Sequence, residues 1–205
     1  MVTEQNDTLR QIATWLHRRD VASYQMIART PTGLLDEPMR RLSSAANYSR
    51  LSMTAAVALA ALGGGRGRRA AAHGLVSVGA TSALVNIVAK LATRRSRPAR
   101  GDLGVPATRH LPMPTSSSFP SGHSAAAFAF ATGVGHTWPA AAFPLMGLAG
   151  TVAYSRVYTG VHYPGDVAAG SLVGIAVAAL TTRLLDHHPD RQAARGAART
   201  TTQLN

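Results

Sequence analysis

Long apolar blocks separated by polar segments dominate the chain after residue 50. They cover residues 51–62, 70–92, 124–135, 139–154 and 167–185 and consist mostly of alanine, glycine, valine and leucine. A helix needs ~20 such residues to cross the hydrocarbon core of a bilayer, so the first block is short unless its helix begins near Ala45. Small residues allow helices to pack closely in lipid. We therefore predict an all-α fold, a multi-pass membrane bundle of about five spanning helices.

The first 50 residues show a different pattern. Leu9, Ile12, Leu16, Val21 and Ile27 recur among charged residues, with the spacing of a helix that is apolar on one side. We predict an N-terminal amphipathic helical region over residues 1–50, lying on the membrane surface or against the bundle. Its mixture of charged and apolar residues is not expected to act as a secretory signal peptide.

Charged segments mark the other boundaries. Arg66, Arg68 and Arg69 predict a basic loop between the first two apolar blocks. The membrane domain is expected over residues 51–186. Residues 187–205 are rich in alanine and charged residues, and we expect them to form a poorly ordered tail.

The composition changes this picture in two respects. Hydrophobic residues make up 46% of the 205 residues and the mean hydropathy is only +0.03, values that would also fit a soluble helical protein with an alanine-rich core. The grouping of apolar residues into blocks favours the membrane. The net charge of +12 suggests an anionic partner such as acidic lipid, a phosphorylated substrate or nucleic acid. Because the chain has no cysteine, disulfides, thiolate metal sites and cysteine nucleophiles are excluded.

A first cluster of candidate site residues follows the second apolar block. Lys90 is the only lysine of the chain, and six residues, two of them arginines, separate it from Arg97 and Pro98. Lysine supplies a mobile point charge, whereas the planar guanidinium of arginine can hold two phosphate oxygens at once. Basic residues at the end of a membrane helix are also ordinary membrane anchors, so this cluster alone is a weak indication.

A second cluster opens the third apolar block. Pro120 ends the preceding loop, Ser121 can cap a helix, and Gly122 lets a ligand approach the backbone closely. The free N–H groups at the start of a helix bind anions. His123 adds a group that can donate a proton near neutral pH. A plain helix cap with an incidental histidine would look the same.

A third cluster joins the last two apolar blocks. Pro164 suits the first turn of a helix, which places His162 just before the helix and Asp166 in its first turn. A carboxylate in that position can accept the N–H of one ring nitrogen and leave the other nitrogen facing a substrate. Arg156 adds a further phosphate-binding fork. A structural histidine–aspartate bond between two helix ends is the alternative.

Taken together, the clusters contain what phosphoryl transfer requires: cations for the phosphoryl oxygens, a nucleophile and a proton donor. They resemble the signature of the type 2 phosphatidic acid phosphatase family, which shares its site with vanadium haloperoxidases. The pattern is lysine, six residues and Arg-Pro; Pro-Ser-Gly-His; and Ser-Arg, five residues, histidine, three residues and aspartate. It is matched by Lys90, Arg97 and Pro98, by residues 120–123, and by Ser155, Arg156, His162 and Asp166.

The resemblance implies a two-step hydrolysis that needs no metal and no other cofactor. In this mechanism His162 attacks phosphorus, Asp166 holds its ring, and His123 protonates the departing oxygen. The phosphate is held by the groups Lys90, Arg97, Ser121, the Gly122 N–H and Arg156. Each of the other histidines is expected to have a surface or packing role.

The expected substrate is a lipid phosphate such as phosphatidate or a polyprenyl phosphate or diphosphate, and the expected surroundings are membrane lipids rather than nucleic acid. A vanadate-dependent haloperoxidase would use the same pocket, but those enzymes are soluble. A basic protein that binds membranes or nucleic acid is the weakest alternative, because aromatic residues for base stacking make up only 5% of the chain. We expect a multi-pass plasma-membrane protein, and the resemblance favours an extracytoplasmic site.

Overall fold

A computed structural model of the protein describes residues 2–89 and 93–202. The regular secondary structure in this part consists of helices, and no strand occurs there. Short 3₁₀ turns lie at Asn47–Ser49 and Ala107–Arg109, and a π-helical turn, Leu84–Ala89, continues α4. The α-helices of the described part are α1 (Val2–Arg29), α2 (Gly33–Ala45), α3 (Arg50–Leu62), α4 (Gly64–Ala83), α5 (Gly122–Thr137), α6 (Pro139–Tyr158) and α7 (Pro164–Thr202). The all-α prediction is therefore confirmed for these residues.

The predicted basic loop between the first two apolar blocks is wrong. Arg66, Arg68 and Arg69 lie in the first turns of α4, because the chain turns at Gly63 and Gly64 and resumes a helix at once. Gly64 has a φ of 55°, which a residue with a side chain rarely adopts. Arg66 lies over the ring of Trp138, 5.6 Å from its centre, and donates to the carbonyl of Thr137 at the end of α5. The arginines thus start a helix rather than fill a loop.

Within residues 2–89 and 93–202, two helices are long and apolar enough to cross a membrane, by length and composition alone: Gly64–Ile87 and Pro164–Asp186. Helix α3 has 13 residues, which give it a length of about 20 Å, short of the ~30 Å of a hydrocarbon core. It does not extend back to Ala45, since Tyr48 and Ser49 both have a φ of 55° and break the helix there.

Helix α5 occupies the centre of the bundle and packs against α4, α6 and α7. Its contact with α7 is made by backbone. A Cβ atom on Gly170 would lie 2.4 Å from the carbonyl oxygen of Ser121, and one on Gly174 would lie 2.2 Å from that of Ala125. Two glycines four residues apart therefore form a flat strip on α7 against which α5 rests. This contact sets the distance between the starts of the two helices.

The N-terminal helices cover the end of the bundle where α6 stops and α7 begins. Tyr24 of α1 is buried against Val157 and Tyr163, and its hydroxyl donates to the carbonyl of Gly160 over 3.3 Å. Buried Arg109 joins this region to the loop before α5, because it pairs with Asp36 at 2.8 Å and donates to carbonyls at the end of α1.

Helix α7 continues beyond the apolar block, so its backbone includes residues 187–202 of the predicted tail. Residues 203–205 lie outside the described part of the chain. The poor order expected for the tail stays a prediction.

Candidate active site

The loop between α6 and α7 places His162 at the end of the bundle. Gly160 has a φ of 73° and turns the chain back, so that the N–H groups of Val161 and His162 both donate to the carbonyl of Arg156, at 3.1 and 3.3 Å. Pro164 is the first residue of α7, as expected. The imidazole of His162 is thereby fixed between two helix ends and is only 2% exposed.

Asp166 lies in the first turn of α7, as predicted, and its carboxylate is buried. Its Oδ2 accepts the N–H of Tyr163 over 2.9 Å and the hydroxyl of Ser118. The same oxygen lies 3.5 Å from Nδ1 of His162. This separation is at the outer limit of a hydrogen bond, so the attraction between the two groups is mainly electrostatic and a small shift of the ring would form the bond.

Arg97 holds the other side of the His162 ring. Its Nη1 lies 3.2 Å from Nε2 of His162 and donates to the carbonyl of Val161 over 2.8 Å, and its Nε donates to Ser116. Nε2 can therefore accept an N–H from Arg97 only when the ring is neutral at that nitrogen. Burial, and then the charges of Arg97 and Arg156, lower the pKa of His162 from 6.5 to about 4, against the opposing effect of Asp166.

Arg156 is buried at the end of α6, and its charge acts on both His162 and Arg97. Its Nη1 donates to the carbonyl and the hydroxyl of Ser43 in α2, at 3.1 and 2.7 Å. Its Nε is buried without a hydrogen-bond partner among the described residues. A buried guanidinium N–H of this kind is suited to an anion that enters the site.

The second cluster meets the third through the backbone. The N–H of Ser121 donates to the carbonyl of Asp166 over 2.9 Å, and its hydroxyl caps α5 by accepting the N–H of Ser124 over 3.4 Å. Gly122 and His123 form the first turn of α5 at this same end of the bundle. The ring of His123 has its Nε2 2.9 Å from Oδ1 of Asn47, which follows α2.

The described structure thus brings together most of the residues that the sequence singles out. Lys90 lies outside the described residues. Among the described residues, no three metal-binding side chains gather into one group. An open cavity of about 490 Å³ borders the site and is lined by both Arg94 and Arg97 and by residues 113–117.

Other residues of the site have no counterpart in the predicted set. Arg95 and Ser118 bind Asp166 directly, and Asp20, Ser43 and Asn47 reach the site from the first 50 residues. Arg95 stands inside the first basic cluster and could have been suspected from that position. The residues of the N-terminal region carry no such indication, because neither their type nor their spacing sets them apart.

The histidines outside the motifs form hydrogen bonds, an ion pair or a ring contact where their side chains are described. His73 bonds Thr137, His136 pairs with Asp186 over 2.5 Å, His110 bonds the carbonyl of Val105, and His17 meets the edge of Tyr163. The side chains of His187 and His188 lie outside the described part.

Comparison with known proteins gives matches to a family model, to curated proteins and to solved structures. The family model of the PAP2 superfamily matches residues 70–189. Among curated proteins, decaprenylphosphoryl-5-phosphoribose phosphatase of Mycobacterium tuberculosis is 36% identical over 100 residues, which cover 47% of this chain and 51% of that protein. Its counterpart in Mycolicibacterium smegmatis is 38% identical over 121 residues, which cover 56% of this chain and 61% of that protein. The chain therefore matches only about half to three fifths of the length of these relatives.

Two solved structures share the fold. LpxE of Aquifex aeolicus superposes with a TM-score of 0.64 at 24% identity, over 79% of this chain and 93% of that one. The transmembrane PAP2 type phosphatidylglycerolphosphate phosphatase of Bacillus subtilis gives a TM-score of 0.63 at 24% identity, over 84% of this chain and 87% of that one. At this identity the likeness concerns the fold alone.

Proposed function

The chain belongs to the PAP2 superfamily, and from this membership we propose that it is a membrane-embedded lipid phosphate phosphatase that works through a phosphohistidine on His162. The observation that carries the proposal is the buried pair of His162 and Asp166, with Arg97 against the other ring nitrogen and the charge of buried Arg156 also acting on the ring. A neutral imidazole that faces a guanidinium has its unprotonated nitrogen where a phosphoryl group would be held.

In the first step Nε2 of His162 attacks phosphorus, and the bond from phosphorus to the lipid oxygen breaks. The ring gains positive charge as the N–P bond forms, and Asp166 at 3.5 Å from Nδ1 stabilises that charge. Its position is fixed by the bonds from Tyr163 and Ser118. The departing lipid oxygen takes a proton from His123, which gives the free alcohol.

In the second step His123, now neutral, takes a proton from water, and the resulting hydroxide attacks the phosphohistidine. The N–P bond breaks, inorganic phosphate leaves, and His162 is again neutral. The same histidine acts as acid and then as base, so the cycle needs no metal or other cofactor.

The phosphoryl oxygens are held by cations and by the start of a helix. Arg97 supplies Nη1 beside Nε2 of His162, and Arg156 supplies its buried Nε. The N-terminus of α5, with the hydroxyl of Ser121 and the N–H of Gly122, adds dipolar donors. Lys90 completes the set by its place in the family motif. The phosphate enters between Arg97 and His162. Arg97 then donates two charge-assisted hydrogen bonds to phosphate oxygens in place of its contact with Nε2 of His162, which is left facing phosphorus.

We propose that the substrate is a lipid carrying a terminal phosphate, with a prenyl-linked phosphosugar as the first candidate. The named activity of the mycobacterial relatives supports this candidate, and the shared fold of the two solved phosphatases supports a lipid phosphate in general. Phosphatidate and polyprenyl phosphates or diphosphates are the other members of the class to be compared.

The proposed membrane unit comprises residues 51–186, with about five helices of which α4 and α7 are the longest apolar ones. Helices α1 and α2 cover the end of the bundle that holds the site, and the sequence of residues 187–205 is rich in charged residues. We place the protein in the plasma membrane with the site on the extracytoplasmic face. Labelling of a cysteine introduced at Ser117 tests this orientation, since reaction with an impermeant reagent in intact cells requires that face.

The decisive experiment measures phosphate release by the purified full chain in lipid vesicles, in the presence of EDTA, from a panel of the lipid phosphates above. We expect turnover of at least one prenyl-linked substrate, inhibition by vanadate, and a loss of about 10³-fold or more in His162→Ala. His136→Ala at the other end of α5 is the matched control and should keep its activity. Full turnover in His162→Ala would refute the mechanism, and halide oxidation with vanadate and peroxide, without phosphate release, would indicate a haloperoxidase.

A further inference from the structure

A line of charged side chains leads from α1 to the carboxylate beside His162. The guanidinium of Arg95 forks between two acids: Nη1 donates to Oδ1 of Asp166 over 2.7 Å and Nη2 donates to Oδ2 of Asp20 over 2.5 Å. Its Cζ lies over the ring of Tyr163, 4.4 Å from the ring centre. The carboxylate of Asp166 is fully buried, so Arg95 is the cation that neutralises it on the side away from the histidine.

Asp20 also holds the backbone next to Asp166. Its Oδ1 accepts the N–H of Gly165 over 2.7 Å, one of the N–H groups that the start of a helix leaves without an internal partner. A Cβ atom on Gly165 would lie 2.9 Å from Oδ2 of Asp20, so the acid approaches this backbone as closely as glycine permits. One carboxylate from α1 therefore fixes both the arginine that grips Asp166 and the peptide that precedes it.

Docking of α1 does not depend on this acid alone. Tyr24 and Ala28 bury their side chains against Val105, Val157 and Tyr163. Arg109 binds the carbonyls at the end of α1. Neutralising Asp20 as asparagine therefore leaves these contacts in place, removes the charge, and leaves a single oxygen to accept where two carboxylate oxygens accept from Arg95 and Gly165.

We propose that Asp20 and Arg95 are positioning residues for the pair His162 and Asp166, which makes α1 part of the catalytic apparatus. The inference rests on the proposed function of His162. As the ring gains charge during attack, Asp166 must stay ionised and oriented toward it. Asp20 balances part of the charge of Arg95, so that the negative charge of Asp166 remains available to the ring. Without the charge of Asp20, the full charge of Arg95 acts on Asp166. The N–H of Gly165 in the first turn of α7 then no longer has a carboxylate as its acceptor.

The test compares Asp20→Asn with the unchanged protein in vesicles, using a lipid phosphate that the unchanged protein hydrolyses. We expect kcat to fall by about 10- to 100-fold, by analogy with the range found for hydrogen-bond partners of metal-binding histidines, while KM changes by less than about twofold. Single-turnover measurement should show that phosphohistidine formation is the step that slows. Asp7→Asn, an exposed acid on the same helix, is the matched control and should match the unchanged protein.

A double-mutant cycle separates positioning from mere docking. If Asp20 acts through Asp166, Asp20→Asn costs little further activity in a protein that already carries Asp166→Asn, measured with an activated aryl phosphate so that the residual rate stays measurable. An equal loss in both backgrounds would overturn the inference. So would an unchanged kcat, with or without a lower melting temperature. If the unchanged protein releases no phosphate from any lipid, the proposed function fails, whereas normal turnover in Asp20→Asn refutes the positioning role alone.

Discussion

Replacing Gly170 by alanine tests whether the backbone contact between α5 and α7 positions the phosphate-binding end of α5. The new Cβ would lie 2.4 Å from the carbonyl oxygen of Ser121, where an ordinary contact begins at 3.4 Å. The obstacle is backbone, so no side chain can turn aside and the two helix starts must separate by about 1 Å. The N–H of Ser121 would then lose its 2.9 Å bond to the carbonyl of Asp166.

The expected cost has two parts. Forcing a methyl group into a packed contact costs about 1–3 kcal/mol of stability. A misplacement of about 1 Å among reacting groups costs about 10²-fold in rate. We therefore expect Gly170→Ala to lower kcat/KM for a lipid phosphate by about 100-fold and to lower the melting temperature, followed by the fluorescence of Trp15 and Trp138. Both values are measured on the same vesicle or detergent preparation.

Gly147→Ala in α6 is the control, because a Cβ atom there meets nothing within 4 Å. Alanine in place of an unconstrained helical glycine should raise stability by about 0.5–1 kcal/mol and leave kcat/KM unchanged. A Gly170→Ala protein with normal kcat/KM would refute the reasoning, since it would mean that the start of α5 can shift by this distance without affecting the reaction.

Two further predictions concern the histidines. Because the lowered pKa of His162, about 4 against 6.5, keeps its ring neutral, the unfolded chain binds a proton between these pH values that the folded protein does not. The free energy of unfolding should therefore fall by up to about 3 kcal/mol as the pH drops from 6.5 to 4, and chemical denaturation at several pH values should show a weaker fall in His162→Gln. An equal fall in both proteins would contradict the burial of a neutral ring. Asn47→Ala removes a hydrogen-bond partner of His123 at 2.9 Å, and kcat should drop by about tenfold for lipid phosphates but little for p-nitrophenyl phosphate, whose leaving group needs no acid. Equal losses on both substrates would show that Asn47 does not act through His123.

Local sequence features determined the helical class and the ends of the site helices. Ser121 caps α5 and Pro164 opens α7 because capping and the fixed φ of proline act within one turn of helix. The same local geometry places His162 just before α7 and Asp166 in its first turn, four residues later. The prediction that failed, a loop at the arginines after Gly65, failed because charge says little about a segment whose backbone resumes a helix directly after a glycine turn.

Only the tertiary structure decided which distant polar groups serve the site. Asp20 and Arg95 are 75 positions apart, His123 and Asn47 are 76 apart, and Arg156 reaches Ser43 across 113. A buried charge or ring nitrogen must find a partner within about 3 Å, and the packing of helices determines which residues lie within that reach. No periodicity or motif encodes such pairings, because they depend on how the N-terminal helices lie across the end of the bundle.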